Sequence, residues 1–225
     1  MAIFQRLLLV AVLAGLSTGL LTTLAHQGLT VPLILQAEAY EAREAHAHHG
    51  HEHAPAWQPA PGLERTLLTA FSDVMTAIGF ALLLGALWTW RGAPRGLPQA
   101  LAWGLAGYAS FVLAPSLGLP AELPGADAGP LAARQIWWLT SAFATAAGLA
   151  MWVFGRVLLW RVAAVALLVA PHLVGAPQAI AEVSALPVGW HADFVRAVLA
   201  VGLLFWLALA ASTAYFFRRE ARRIT

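Results

Sequence analysis

Six long apolar stretches divide the chain, and shorter polar segments separate them. They cover residues 7–25, 66–90, 97–118, 131–154, 158–176 and 194–217. A helix needs roughly 20 mostly apolar residues to cross a bilayer, so the pattern predicts an all-α bundle of about six transmembrane helices. Because Pro171 and His172 shorten the apolar run at 158–176, a bundle of five spans is the alternative.

The lengths of the apolar runs also predict two helix boundaries. The fourth and fifth stretches are close together, but one helix over both would have about 45 residues, too many for a single span even when tilted. The first stretch has an apolar run of about 19 residues, longer than the 7–15 of a cleaved signal peptide. We therefore expect a retained first helix and two separate helices at 131–176.

The composition supports a membrane protein. Apolar residues make up 60% of the chain and charged residues only 11%, whereas a soluble domain carries about 25% charged residues. The same numbers exclude a disordered chain. The absence of cysteine excludes disulfides, thiolate metal sites and cysteine nucleophiles. We expect one integral membrane domain over residues 1–225, without a basic face suited to nucleic acid.

The arginines predict the orientation of the bundle. With the N terminus in the cytoplasm, all of the 13 basic residues except Arg43, Arg65, Arg134 and Arg196 lie on the cytoplasmic side. Such a bias is the basis of the positive-inside rule. The chain is therefore predicted to be a multi-pass protein of a prokaryotic inner membrane with both termini in the cytoplasm. A His- and Glu-rich loop at 26–64 would lie outside, and a basic tail at 218–225 inside.

The outer loop carries a dense group of metal ligands. Within eight residues it contains His46, His48, His49, His51, Glu52 and His53. Neutral imidazole is a good ligand for Co²⁺, Ni²⁺ and Zn²⁺. Because the spacing is irregular and includes Gly50, several overlapping weak sites are expected, which suits capture and release. A solvated loop with no role is the alternative.

Charged residues outside this tract suggest a pathway for a cation. Glu38 and Glu41 approach each other on a helical turn and add negative charge near the outer side. Asp73 lies about 10 Å inside the second predicted span, where a carboxylate is costly and is a functional candidate by default. His172 follows Pro171 near a helix end, an arrangement that can hold an ion at depth.

Asp73 also has a structural interpretation. Arg134, Arg196 and His172 are predicted in the same outer half of the bundle, so any of them is a candidate partner for this carboxylate. Asp73 would then lock two helices as an ion pair instead of lining a pathway. Both interpretations remain open from the sequence. Gly15 and Gly19 have the spacing that lets two helices pack closely in lipid.

Several short motifs, in this order, resemble the CbtA family of predicted cobalt transporter subunits. They are PLIL at 32–35, EAYE at 38–41, GLER at 62–65, WGLAG at 103–107, LGLP at 117–120, PG at 124–125, RQIWW at 134–138 and PHLVGAP at 171–177. The resemblance extends over nearly the whole chain. It implies cobalt uptake for cobalamin synthesis with a small partner, CbtB, that has one span and a His-rich end. That family is described with five spans, whereas the apolar pattern favours six.

The leading functional hypothesis is a transporter subunit that is not an enzyme. Divalent cations, with Co²⁺ favoured and Ni²⁺ or Zn²⁺ as alternatives, would be captured by the His-rich tract and pass Asp73 and His172. The chain has no Walker A pattern, so it is not expected to hydrolyse ATP itself. A metal sensor or scaffold, and a haem-binding redox protein using two of His26, His172 and His191, are the alternatives. Self-association into a homo-oligomer is also left open.

Overall fold

The described part of the chain is mainly helical. The computed structural model describes residues 2–47, 59–124, 129–177, 187 and 189–222, and it contains no strand over these residues. The described residues form seven successive helices: α1 Ala2–Leu29, α2 Val31–Ala47, α3 Leu63–Arg91, α4 Leu97–Ser116, α5 Leu131–Phe154, α6 Leu158–Val174 and α7 Trp190–Arg222. The predicted all-α membrane bundle is confirmed.

Five of these helices, α1, α3, α4, α5 and α7, are long and apolar enough to cross a membrane. The fifth predicted span, 158–176, forms a separate helix, α6, but its 17 residues make it shorter than those five helices. The separation of α5 from α6 is confirmed. Helix α5 ends at Phe154, and Gly155 closes it by donating its backbone N–H to Met151.

Helix α6 turns back along α5. A methyl group added at Gly148 would lie 3.0 Å from the carbonyl oxygen of Ala164, so the two backbones are in close contact there. Toward the other end of the pair, the indole N–H of Trp137 donates to the carbonyl oxygen of Pro171 at 3.2 Å. Helices α5 and α6 therefore form an antiparallel hairpin, and the end of α6 lies level with Trp137.

The chain divides into two compact units. The first takes its residues from 1–32, 48–105 and 201–225, and so contains α1, α3, the start of α4 and the end of α7. The second takes its residues from 33–47 and 106–200, and contains most of α2, the rest of α4, α5, α6 and the start of α7. Each unit has its own buried contacts.

In the first unit, α1 and α3 are antiparallel and very close. Gly15 faces Ile78, and Gly19 faces Val74. A methyl group added at Gly19 would lie 2.5 Å from Cα and 2.6 Å from the backbone nitrogen of Val74, atoms that cannot move aside as a side chain can. The close packing expected of Gly15 and Gly19 is therefore observed, and α3 is the helix that they contact.

Part of the segment predicted as a loop at 26–64 is helical. Helix α1 extends to Leu29, and α2 occupies Val31–Ala47. The apolar side of α2 explains the difference, because Leu33, Ile34 and Ala37 recur at helical spacing and pack against Leu123 and Phe194. The basic tail predicted at 218–225 likewise begins inside α7, which continues to Arg222.

Candidate cation site

Asp73 lies well inside α3, ten residues after the helix begins at Leu63, or about 15 Å along its axis. Its side chain is 16% exposed. The carboxylate oxygen Oδ2 accepts a hydrogen bond of 2.8 Å from the hydroxyl of Thr23 on α1. That hydroxyl also lies 2.9 Å from the carbonyl oxygen of Gly19, so its one proton is shared between two acceptors.

His26 approaches the other carboxylate oxygen of Asp73. Its Nε2 lies 3.8 Å from Oδ1, which is too long for a hydrogen bond, and its side chain is 28% exposed. On the other side of the ring, Nδ1 lies 2.7 Å from the hydroxyl of Thr30, a residue that is 2% exposed. Side chains tilt toward the N terminus of their own helix, so His26 and Asp73 lean toward each other from antiparallel helices.

The two arginines predicted as partners of Asp73 pair with other carboxylates. Arg134, at the start of α5, donates to Glu122 at 2.8 Å, and Arg196 donates to Asp193 at 2.8 Å on α7. Each arginine thus has a carboxylate partner within the second unit, and its pairing with Asp73 stays a prediction. The pair of Arg134 and Glu122 lines an open cavity of about 510 Å³, but the two charges cancel and give this cavity little attraction for a cation.

Buried hydroxyl groups lie along α1 near the His26–Asp73 pair. Thr18, Thr22, His26 and Thr30 recur every four residues, which places them along one side of a helix. All three threonines are buried. The hydroxyl of Thr18 lies 3.0 Å from that of Ser212 on α7, whereas the hydroxyl of Thr22 donates to the backbone of α1. These threonines were not identified from the sequence, although their regular spacing was an available signal.

The acidic residues predicted near the outer side lie on α2, in the second unit. Glu38 is partly buried and Glu41 is exposed one turn later. Between them, the ring of Tyr40 packs edge-on against Trp190, with 6.0 Å between ring centroids. This contact fixes α2 against the start of α7, and it leaves Glu41 facing solvent. A role for Glu38 and Glu41 in a pathway stays a prediction.

His172 also lies in the second unit, in the last turn of α6. Its ring packs edge-on against Trp137, with 5.8 Å between centroids. The helix continues through Pro171 to Val174, so the proline does not break it before His172. In the described residues no group of three or more His, Asp or Glu side chains could hold a metal ion, and His172 belongs to none. Its place in a pathway stays a prediction.

The predicted capture tract lies outside the described side chains. Helix α2 ends at Ala47 and so includes the backbone of His46, but the described residues resume only at Pro59. The tract members beyond the described residues are His48, His49, His51, Glu52 and His53. Within the described part, the His26–Asp73 pair is the arrangement that joins an imidazole to a carboxylate inside a membrane-length helix pair.

Comparison with known proteins gives one extended match. The family described as "Probable cobalt transporter subunit (CbtA)" matches residues 4–218, nearly the full chain. Neither a curated protein nor a solved structure matches the chain. A multi-pass membrane protein with five membrane-length helices among the described residues is consistent with that description. The chain therefore belongs to the CbtA family of cobalt transporter subunits.

Proposed function

We propose that this chain is the membrane subunit of a cobalt uptake system, which captures the cation on its His-rich outer segment and conducts it through the helix bundle. One observation carries the proposal: Asp73 is held inside α3 by the neutral hydroxyl of Thr23 and faces His26. A carboxylate at this depth is costly and requires a compensating interaction. Thr23 and His26 supply that interaction, and neither carries a permanent charge, which favours cation passage over a structural ion pair.

Charge and metal chemistry support the outer side as the side of capture. Most acidic residues and the whole His-rich tract lie in segments that the arginine distribution assigns to the outside. Negative charge at the mouth of a pathway raises the local concentration of cations without direct coordination. Imidazoles then favour Co²⁺, Ni²⁺ and Zn²⁺ over Mg²⁺ and Ca²⁺, and Co²⁺ is the substrate that the family description supports.

The family description calls its members subunits, so a partner belongs to the proposed function. We expect a small membrane protein of the CbtB type, with one span and a His-rich end. Such a partner would add imidazoles to the capture step. The bundle of the present chain would supply the carboxylate within the membrane.

We expect six crossings of a prokaryotic inner membrane, with both termini in the cytoplasm. Helix α6 returns along α5 to the level of Trp137 and is about 25 Å long, so it recrosses most of the layer that α5 crosses. A slightly short span is accommodated by local thinning of the bilayer. Reporter fusions after residue 225 should report the cytoplasm, and fusions at residue 50 the outside.

Two results of these fusions would contradict the proposal in different ways. A C terminus outside the cell would show that α6 does not cross, and five spans would replace six. A His-rich tract in the cytoplasm would remove capture from the outside altogether. A fusion at residue 93, after the end of α3, is the matched cytoplasmic control in both topologies.

Replacing the five histidines of the tract with serine should weaken capture but not conduction. We expect the Co²⁺ concentration for half-maximal uptake to rise about tenfold, equivalent to ~1.4 kcal/mol, with the maximal rate retained. The measurement is initial uptake of radiolabelled Co²⁺ by cells that express the chain with its partner. His191→Ser, at an exposed position at the start of α7, is the control and should change neither quantity.

Unchanged uptake in the tract variant would remove the capture step from the proposal. If the unaltered chain also supported no uptake of Co²⁺, Ni²⁺ or Zn²⁺, a sensor or scaffold would be the better description. A haem-binding protein would instead show the visible absorption bands of haem after purification.

A further inference from the structure

We propose that His26 and Asp73 together form the intramembrane binding site for the cation, and that His26 determines which cations pass. This inference rests on the proposed function and assigns a selectivity residue to it. His26 lies on α1 and Asp73 on α3, so the site spans the closest helix pair of the first unit.

The separation of the two side chains fits a shared metal ion better than direct contact. Their nearest atoms, Nε2 and Oδ1, are 3.8 Å apart, beyond the range of a hydrogen bond. With metal–nitrogen and metal–oxygen bonds of about 2.0–2.2 Å, two ligands of one tetrahedral ion lie roughly 3.4 Å apart. A shift of a few tenths of an ångström therefore brings both atoms into the coordination sphere of one cation.

Two hydroxyl groups, one on α1 and one directly after its end, orient both members of the pair. The hydroxyl of Thr23 donates to Oδ2 of Asp73, which leaves Oδ1 directed toward His26. The hydroxyl of Thr30 donates to the carbonyl oxygen of His26 at 3.3 Å and forms a hydrogen bond of 2.7 Å with the ring Nδ1. With the ring proton on Nδ1, the lone pair of Nε2 points toward Asp73. Fixing a ligand's tautomer through its other nitrogen is how outer partners tune metal sites.

This assignment predicts both selectivity and weak binding. A site of imidazole and carboxylate favours Co²⁺, Ni²⁺ and Zn²⁺, whereas oxygen ligands alone suit Mg²⁺ and Mn²⁺. The described residues around the pair add no third His, Asp or Glu, so water would complete the coordination sphere. Two protein ligands bind a passing ion more weakly than the three or four of a resident site, and weak binding permits release.

The ratio of Co²⁺ uptake to Mn²⁺ uptake tests the inference. Cells expressing the chain with its partner would be assayed for uptake of Co²⁺ and Mn²⁺, each corrected for the amount of protein in the membrane. His26→Gln keeps a neutral polar side chain but replaces imidazole nitrogen with an amide. We expect Thr30→Val to lower the ratio of Co²⁺ to Mn²⁺ uptake roughly tenfold. We expect His26→Gln to lower this ratio further.

Thr22→Val is the matched control, because Thr22 is buried on the same helix and its hydroxyl bonds only to the backbone of α1. Its ratio should equal that of the unaltered chain. Thr30→Val keeps the shape of its side chain, so it also tests the inference if His26→Gln fails to reach the membrane. A fall in the ratio with Thr30→Val, but not with Thr22→Val, supports the inference.

Two results would overturn the assignment of His26 while leaving cobalt transport intact. One is an unchanged ratio, with normal uptake of both ions, in both His26→Gln and Thr30→Val. The other is an equal loss of Co²⁺ and Mn²⁺ uptake at normal membrane levels, which would make His26 a structural residue. If the unaltered chain with its partner transported no Co²⁺ at all, the proposed function would fail, and this inference with it.

Discussion

Asp73→Asn should reduce the maximal rate of cobalt uptake about a hundredfold, equivalent to ~2.7 kcal/mol. Two unit charges 4 Å apart attract each other by about 4 kcal/mol at an effective dielectric constant of 20, and a divalent cation doubles that attraction. Asparagine has nearly the same shape and can still accept the hydrogen bond from Thr23. The substitution therefore removes attraction for the cation but not the contact with Thr23. The protein should reach the membrane in normal amounts.

The measurement is initial uptake of radiolabelled Co²⁺, corrected for the amount of protein in the membrane. Glu64→Gln is the control, since Glu64 is an exposed carboxylate at the start of the same helix. It should leave the maximal rate unchanged. Normal uptake by Asp73→Asn, together with a lower thermal stability, would instead identify Asp73 as a structural residue.

The membrane-spanning architecture could be predicted from the sequence because apolar runs have a length that the bilayer fixes. The separation of α5 and α6 followed from the same limit, and both helices form with a break at Gly155. Helix α2 was harder to predict, because it is too short and too polar to be a span. Its helical form depends on Leu123 and Phe194, which are distant in sequence and come together only in the folded chain.

In the candidate site, too, a single residue could be predicted from the sequence but its contacts could not. Asp73 could be identified alone, since a carboxylate within an apolar run is conspicuous. Its partners could not, because they depend on which helix α3 packs against. Gly15 and Gly19 indicated a close contact without indicating that α3 makes it. Once α1 and α3 are paired, Thr23 and His26 fall opposite Asp73, and the arginines of the other unit bind their own carboxylates.

Trp137→Ala should cause the largest loss of stability in the second unit. Trp137 is 7% exposed, donates to the carbonyl oxygen of Pro171 and packs against His172. A methyl group added at Gly118 would overlap its ring and lie 2.7 Å from Cζ2, so the indole also fills the space beside the end of α4. Removing a buried aromatic side chain costs about 3–5 kcal/mol. At about 3 kcal/mol, thermal unfolding in detergent should shift downward by roughly 6–12 °C.

Trp152→Ala is the matched control, because Trp152 lies on the same helix but is 51% exposed. Its melting temperature should change much less, since little buried contact is lost. The melting temperature of Trp137→Phe should lie between those of Trp137→Ala and Trp152→Ala, because phenylalanine keeps a ring but cannot donate the hydrogen bond to Pro171. Equal shifts for Trp137→Ala and Trp152→Ala would show that the hairpin of α5 and α6 does not depend on this indole. A normal cobalt uptake rate per folded molecule in Trp137→Phe would further show that the indole N–H serves packing and not passage.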